Sequence, residues 1–491
     1  MNVDVTLGLD VGTTAVKAGL VDSTGQLLAS FRAQYPISRP QPGYAEQDPE
    51  AWVALIGQAL DQFASQGFGA DCAAIGLCSQ VNTHVFVGHD GRALIPAILW
   101  QDGRAGAEAR ALDAMITPAQ KLAWWGAYLP IDASHPLARI LWVARHLPQV
   151  WQQTRWVMAP KDYCLHRLTG QIASDPLSNF PLVDTAGHYI PELLALVPGA
   201  AERVVPLRAI TEVIGIVTRP GRFAGVPVVT GTMDAWTGLL GAGGAGQGTS
   251  VYLSGTSEIL GVTSAAVHPT PGVVVFPETA GLRIHAGPTQ SGGAAVEWFC
   301  QMAGIAPADM SALAALSDRQ RPAPLFLPHL QGERAPIWNP DLRGAFLGLN
   351  AQTGLPDLAR AVFEGVAFSA RMVLDALEQS SGRANAVINC GGGGFQSPTW
   401  NQIRADVLGR SLRRLSVKDP GIVGAAGLAA MGAGLAPDLA SALQQRLRFE
   451  VTFDPDSGQS ARYDHIFGLY SDAIAANTEL NRRLAGLQGA P

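Results

Sequence analysis

With 491 residues the chain is too long for one hydrophobic core, and two domains are the expectation. Hydrophobic residues make up 47% and charged residues 15%, which excludes a disordered chain and fits a compact, well-buried enzyme. A formal net charge of −6 argues against a nucleic-acid partner, and no apolar run reaches membrane-spanning length without polar interruption.

The chain opens on a strand. Val3, Val5, Leu7 and Leu9 alternate with small or polar residues, and Val16, Ala18 and Leu20 mark a second strand. Between them lie Asp10, Gly12, Thr13 and Thr14. Glycine lets backbone N–H groups approach an anion, and threonine hydroxyls add donors. An acid at a strand end can hold a divalent cation directly or through water. Such a turn is equipped for a metal–nucleotide phosphate tail, although Gly-Thr hairpins are also common without one. Residues 41–47 read as a turn-rich loop. Asp48, Pro49 and Glu50 then predict a helix start, with Trp52, Leu55, Ile56, Ala59, Leu60 and Phe63 as its buried stripe. A strand over 73–78 runs into Gln80 and Asn82, and a turn near residue 90 leads on to Trp100, Gln101 and Asp102. Strand-to-loop junctions often carry binding groups. These side chains offer hydrogen-bonding groups and one flat apolar surface, a mixture suited to a small polyhydroxy ligand.

A strand over 226–234 ends in Asp234, and the glycine-rich run 241–248 reads as a junction between domains. Residues 251–262 then repeat the opening plan: apolar strand, a turn with Gly255 and Thr256, apolar strand. Two such hairpins half a chain apart point to two similar domains facing each other, with phosphate donors on both sides. A long helix is predicted over 358–377. The run Gly391–Gly394 follows a short strand, and Ser397-Pro398 predicts a helix start, with the helix ending at Gly409. Glycines before a helix N-terminus can admit a purine face and phosphates. Alternating strands and helices in both halves indicate an α/β architecture.

Asp10 and Asp234 each end a predicted strand in the same half. Phosphoryl transfer needs a metal anchor and a group to orient the acceptor hydroxyl. Asp10 is assigned to the metal. Asp234 is named with it at the metal and is also assigned to the acceptor as orienter and base, the acceptor's proton moving late because a sugar hydroxyl is too weak an acid to ionise beforehand. The five cysteines show no metal-type pairing, and no basic, apolar leader opens the sequence. A cytoplasmic protein with buried thiols is expected. His84, His135 and His329 are expected to be structural.

Together these stretches resemble the FGGY carbohydrate kinases, most closely the xylulokinase branch, over most of the chain. The opening resembles that family's Asp-x-Gly-Thr-Thr-x-x-Lys hairpin. Residues 42–49 are similar to its Pro-Gly-Trp-x-Glu-Gln-Asp-Pro stretch, and residues 96–102 to its Pro-Ala-Ile-Leu-Trp-Asn-Asp segment. Residues 161–170, 327–336, 343–349 and 392–406 resemble further blocks in the same order. The resemblance implies two actin-like (ribonuclease-H-like) α/β domains with a nucleotide cleft between them: 1–245 for sugar and catalytic base, 246–491 for nucleotide. It implies ATP and Mg²⁺ as cofactors. Thr13, Thr14, Gly255 and Thr256 would face phosphates, Gly392, Gly393 and Ser397 would lie near adenosine, and Gln80, Asn82, Trp100, Gln101 and Asp102 would lie at the sugar. Three departures bear on the acceptor. Asn82 stands where xylulokinases usually carry a sugar-contacting His, Ala235 where the catalytic Asp is usually followed by Asn, and Gln101 is closer to the glycerol kinase pattern. The expected function is phosphorylation of a small sugar or polyol, xylulokinase-like, with other ketopentoses, pentitols and glycerol-like polyols open as acceptors. The alternatives are a non-catalytic sugar-responsive regulator and a chaperone-type ATPase. The first would tolerate loss of Asp10 or Asp234, and the second needs a peptide-binding domain for which there is no room. A homodimer is compatible with the reading.

Overall fold

The computed structural model describes residues 4–416, 419–444 and 446–488. The chain divides into two compact units. The first comprises Met1–Gly246, Val275–Arg283 and Asp419–Leu447, and the second Gln247–Val274, Ile284–Lys418 and Arg448–Pro491. The change of unit expected near residue 245 is therefore followed by two returns of the chain to the first unit.

In the first unit the strands are β1 (Val5–Val11), β2 (Ala15–Asp22), β3 (Leu27–Gln34), β4 (Cys72–Ser79), β5 (Val213–Ile216), β6 (Pro227–Val229) and β7 (Thr232–Met233). They form one sheet in the order β3-β2-β1-β4-β6-β5, with β7 also paired to β4. β1 and β2 are antiparallel, the predicted hairpin, whereas β1 and β4 run parallel. Both faces of β1 are buried, which is why its alternation is of large and small residues and not of apolar and charged ones. Leu7, Leu9, Ile75 and Leu77 meet Trp52, Ile56 and Phe63 of helix α1 (Pro49–Ser65) in the core. That helix starts as predicted, with the Asp48 side chain accepting from the Glu50 N–H at 2.9 Å and Pro49 in the first turn.

Helix α2 (Pro136–His146) and the short helix α3 (Asp234–Leu239) also belong to this unit. After α3 the glycine-rich run does not begin as a loop: Leu240–Gly244 are buried and continue the helical path to a kink at Gly243, whose φ is 97°. The glycines there serve packing, since a Cβ at Gly241 would stand 1.8 Å from the Pro420 carbonyl oxygen.

The second unit repeats the plan. Its strands are β8 (Ser250–Ser254), β9 (Glu258–Thr263), β10 (Ile284–Pro288), β11 (Val387–Gly391), β12 (Ser411–Leu415) and β13 (Phe449–Phe453). Here β8 and β9 form the antiparallel hairpin, β10 follows antiparallel to β9, and β11 lies parallel to β8. Helices α4 (Leu355–Ser381) and α5 (Pro398–Leu408) pack on it. Val362, Phe363, Val366 and Trp400 share a core with Tyr463 and Tyr470 of the long C-terminal helix. Ser397 caps α5 through the Trp400 N–H at 3.2 Å, and Gly409 ends it in the left-handed conformation.

Helix α6 (Pro420–Gly432) belongs to the first unit although it follows most of the second. It lies against β1 and β4 at backbone distance. A Cβ at Gly8 would be 2.2 Å from the Ile422 carbonyl oxygen, and one at Gly76 2.0 Å from that of Ala425. Only glycine on the strands admits a helix so close.

Candidate active site

Register brings the two acids of the first unit to one end of its sheet. Asp10 pairs with Cys78 across β1 and β4, and Cys78 pairs with Thr232 across β4 and β7. Asp234, two residues beyond Thr232, is the first residue of α3. Asp10 is 7% exposed, and Lys17, opposite it in the hairpin, approaches to 3.7 Å while bonding Asp419 at 2.8 Å. Burial pushes the Asp10 carboxyl up; Lys17 pulls it back, and it stays above its ordinary value. For Lys17, burial pulls down, but Asp10 and Asp419 more than offset this. The Oδ1 atom of Asp10 is buried and has no hydrogen-bond partner among the described residues. A buried carboxylate oxygen left without a partner is costly. It fits a small hard cation, which is commonly held by one or two carboxylates together with substrate phosphates. No group of three or more His, Cys, Asp or Glu placed to hold a metal occurs among the described residues.

Asp234 keeps part of its surface open to solvent. Desolvation nonetheless raises its pKa to about 8, and the charge of Asp10 adds to the rise. The Ala235 N–H at the start of the helix works the other way. The two carboxyls are thus electrostatically coupled.

The Gly12 turn closes through its N–H on the Ala15 carbonyl at 3.1 Å, and the Tyr35 hydroxyl donates to the Gly12 carbonyl. Thr14 is exposed. Thr13 is tied to the residues expected at the sugar: its Oγ1 accepts from Trp100 Nε1 at 2.9 Å, and its carbonyl accepts from Gln47 Nε2 at 2.7 Å. Gln47 in turn accepts from Gln80 Nε2 at 3.0 Å, leaving the buried Gln80 Oε1 without a partner among the described residues. Asn82 takes a left-handed backbone (φ 48°), and its Nδ2 donates to Ser134 Oγ at 3.2 Å. Gln101 is exposed and accepts from Arg39 at 2.7 Å. Asp102 is buried with both oxygens engaged: Oδ2 by the Ala45 N–H at 2.6 Å, and both by Arg104. It organises the loop carrying Tyr44 and Ala45.

One residue here had no signal in the sequence. Arg139, on α2, is fully buried and donates to the carbonyls of Asn82, Ile98, Leu99 and Ala133. It therefore clamps the loop after β4 and the approach to Trp100 from beneath. Burial lowers its pKa to about 9. The three histidines expected to be structural are all buried and bonded within the protein. His84 faces Arg139 at 3.1 Å, His135 Nδ1 accepts from the Leu137 N–H at 3.1 Å, and His329 bonds Glu333 at 3.0 Å.

In the second unit Gly393 and Ser397 line one cavity of about 410 Å³ with Gly394, Val296, Phe363 and Trp400. Phe363 and Trp400 stack at 4.8 Å between ring centroids. The Ser397 hydroxyl contacts that of Ser311 at 2.8 Å. The volume and a lining that sets the two stacked rings beside polar groups suit a flat heterocycle. Gly392 has φ 93° and lies against β8, where a Cβ would meet the Ser254 carbonyl oxygen at 2.4 Å. Gly255 and Thr256 form the exposed turn after Ser254, anchored by the Gly293 and Ala294 N–H groups on their carbonyls at 2.9 and 3.0 Å.

All five cysteines are free and buried, and no helix among the described residues is long and apolar enough to cross a membrane. Comparison with known proteins adds three findings. Residues 5–241 match the N-terminal domain model of the FGGY family of carbohydrate kinases, and residues 251–433 match its C-terminal domain model. Xylulose kinase of Escherichia coli strain K12 is 31% identical over 476 residues, covering 93% of this chain and 96% of that one. Among solved structures, a xyloylose kinase from Brucella ovis matches with a TM-score of 0.89 at 28% identity, covering 97% of this chain and 100% of that one. Gluconate kinase from Lactobacillus acidophilus matches at 0.88 and 25%, with 97% and 98% covered. The two mixed sheets and these likenesses give the two-domain actin-like fold expected from the sequence.

Proposed function

The chain belongs to the FGGY family of carbohydrate kinases and phosphorylates a sugar or polyol at the expense of ATP, in the manner of a xylulokinase; from that premise we propose that Asp234 is its base and Asp10 its metal-side carboxylate. The observation that carries the proposal is the register that brings both acids to one sheet end, where the charge of Asp10 adds to the rise in the Asp234 pKa. The acceptor hydroxyl bonds Asp234. It stays protonated until the new O–P bond forms, and its proton then passes to Asp234, which takes it only in the ionised form and so gains as a base while pH rises through about 8. Gln80 Oε1, buried and without a partner among the described residues, is ready to accept from a second hydroxyl, and the Trp100 ring gives the carbon skeleton an apolar face. Gln47 and Thr13 hold these two side chains in place. Asp10 would hold Mg²⁺ through its unpartnered oxygen, and the ion would supply positive charge to the β- and γ-phosphates. Thr13, Thr14, Gly255 and Thr256 offer hydroxyl and amide donors to the phosphates. The cavity bounded by Gly393 and Ser397 takes adenosine, with Gly392 beside it.

The acceptor is proposed to be a small ketose or polyol of the ketopentose, pentitol or glycerol kind. The test is ADP release across a panel that includes D-xylulose, compared by kcat/KM. ADP is expected only when an acceptor is present, and at least one other ketose or polyol is expected to exceed D-xylulose, because Asn82 and Ala235 change the hydrogen bonding available to it. Folded protein that binds ATP and releases no ADP with any acceptor overturns the reading.

A further inference from the structure

The second unit contains a buried ion pair beneath its two glycine turns. Glu258 opens β9 directly after the Gly255 turn, and Arg404 sits on α5, past the Gly392–Gly394 run. Both side chains are fully buried, and Arg404 Nη2 donates to Glu258 Oε1 at 2.6 Å. The same guanidinium reaches both turns. Nη2 donates to Ser254 Oγ, the residue before Gly255, at 2.7 Å, and Nη1 donates to the Gly394 carbonyl at 2.8 Å. Ser254 Oγ and the Tyr252 hydroxyl complete the carboxylate at 2.8 and 2.5 Å. The guanidinium lies 3.6 Å over the ring of Trp400, which lines the cavity.

The glycines show how tightly the turns meet. A Cβ at Gly394 would stand 2.0 Å from Ser254 Oγ. The turns touch at Ser254 with no room for a Cβ at Gly392 or Gly394, and Arg404 bridges the contact. Burying an ion pair contributes little to stability, because desolvating both charges offsets their attraction. A planar fork that bonds three acceptors at once does fix geometry.

We propose that Glu258 and Arg404 are positioning residues for the nucleotide, holding the phosphate-side turn and the purine-side turn at one spacing so that both engage a single ATP. The inference rests on reading those turns as the nucleotide site.

The test is calorimetric ADP affinity, thermal melting and KM for ATP and acceptor, all on the full chain. Arg404→Met is expected to weaken ADP binding at least about fivefold while the acceptor KM stays within about twofold. Arg404→Lys should recover only part of the loss, since an ammonium is not a fork. The double change Glu258→Val with Arg404→Leu removes both charges and should melt no lower than Arg404→Met, yet still bind ADP weakly. That variant keeps the test valid if Arg404→Met does not fold. A folded double variant that binds ADP as tightly as the parent overturns the proposal. Ser311→Trp, which fills the cavity, should abolish ADP binding. If it binds ADP like the parent, the nucleotide-site reading fails, and the proposal fails with it.

Discussion

At the scale of single residues the chemistry turns on one carboxylate. Asn at position 234 keeps the shape and the place at the start of α3 but cannot take a proton. Asp234→Asn is expected to lower kcat at least about a hundredfold, the usual scale for losing a general base, while ADP affinity stays near that of the parent. Turnover within a few-fold of the parent would mean that another group takes the proton. The acceptor shell makes a second prediction. Asn82 is fixed by Ser134 on its side chain and Arg139 on its carbonyl, so a substitution there changes the hydrogen-bonding group while the backbone stays clamped. Asn82→His with Ala235→Asn is expected to raise D-xylulose kcat/KM relative to the other acceptors by about tenfold or more, as matched hydroxyl partners do. A double variant that loses D-xylulose relative to the panel would show that these positions do not set preference.

At the scale of elements the start of α2 is pH-sensitive. His135 caps it through Nδ1, which can accept from Leu137 only while unprotonated. Burial lowers its pKa to about 4, the nearby Asp132 and Asp113 notwithstanding. The unfolded residue titrates near 6.5, so below that pH the unfolded chain takes up a proton that the folded chain refuses. Stability present above about pH 6.5 is therefore lost as pH falls toward 4, by roughly 3 kcal/mol at the end of that window. Buried His84, also held below its ordinary value, acts in the same direction. His135→Asn keeps a good cap and removes one titration. Its urea midpoint should fall less between pH 7 and pH 5 than that of the parent, and equal falls would refute the assignment. Element ends of this local kind were legible in the sequence: Asp48 and Pro49 at α1, Ser397 and Gly409 at α5, both hairpins, and the two strand-end acids. What was not legible depends on distant partners. Arg139 reads as one more basic residue until four carbonyls converge on it, and Arg404 and Glu258 are remote in sequence. Thr13 reads as a phosphate donor, and its hydroxyl also receives the Trp100 indole. The one local trace of α6 was a glycine inside each of two apolar strands, Gly8 and Gly76, which announces a close backbone neighbour without saying which.

At the scale of the whole molecule the first unit is complete only when residues 419–447 return to it. Helix α6 buries Ile422, Val423, Ala425, Ala426 and Leu428, lies on β1 and β4 at the glycine contacts, and follows Asp419, the second partner of Lys17. A fragment ending at Gly246 is therefore expected to lack a cooperative thermal transition by near-ultraviolet circular dichroism, whereas the full chain melts sharply. A sharp transition from the fragment would refute the dependence. The same return of the chain has a consequence for synthesis. While the protein is being made, the sheet that carries both acids waits for its covering helix until the stretch from 247 to 418 has left the ribosome. At about 5–20 residues per second that wait is on the order of ten to thirty seconds. For that interval the face of the sheet at Gly8, Gly76 and Val21 lacks its cover, and the nascent chain is open to chaperone capture or to pairing with its neighbours on a polysome. Slower translation after residue 246 lengthens this exposure, so the yield of active enzyme should depend on codon speed in the second half of the message more than in the first.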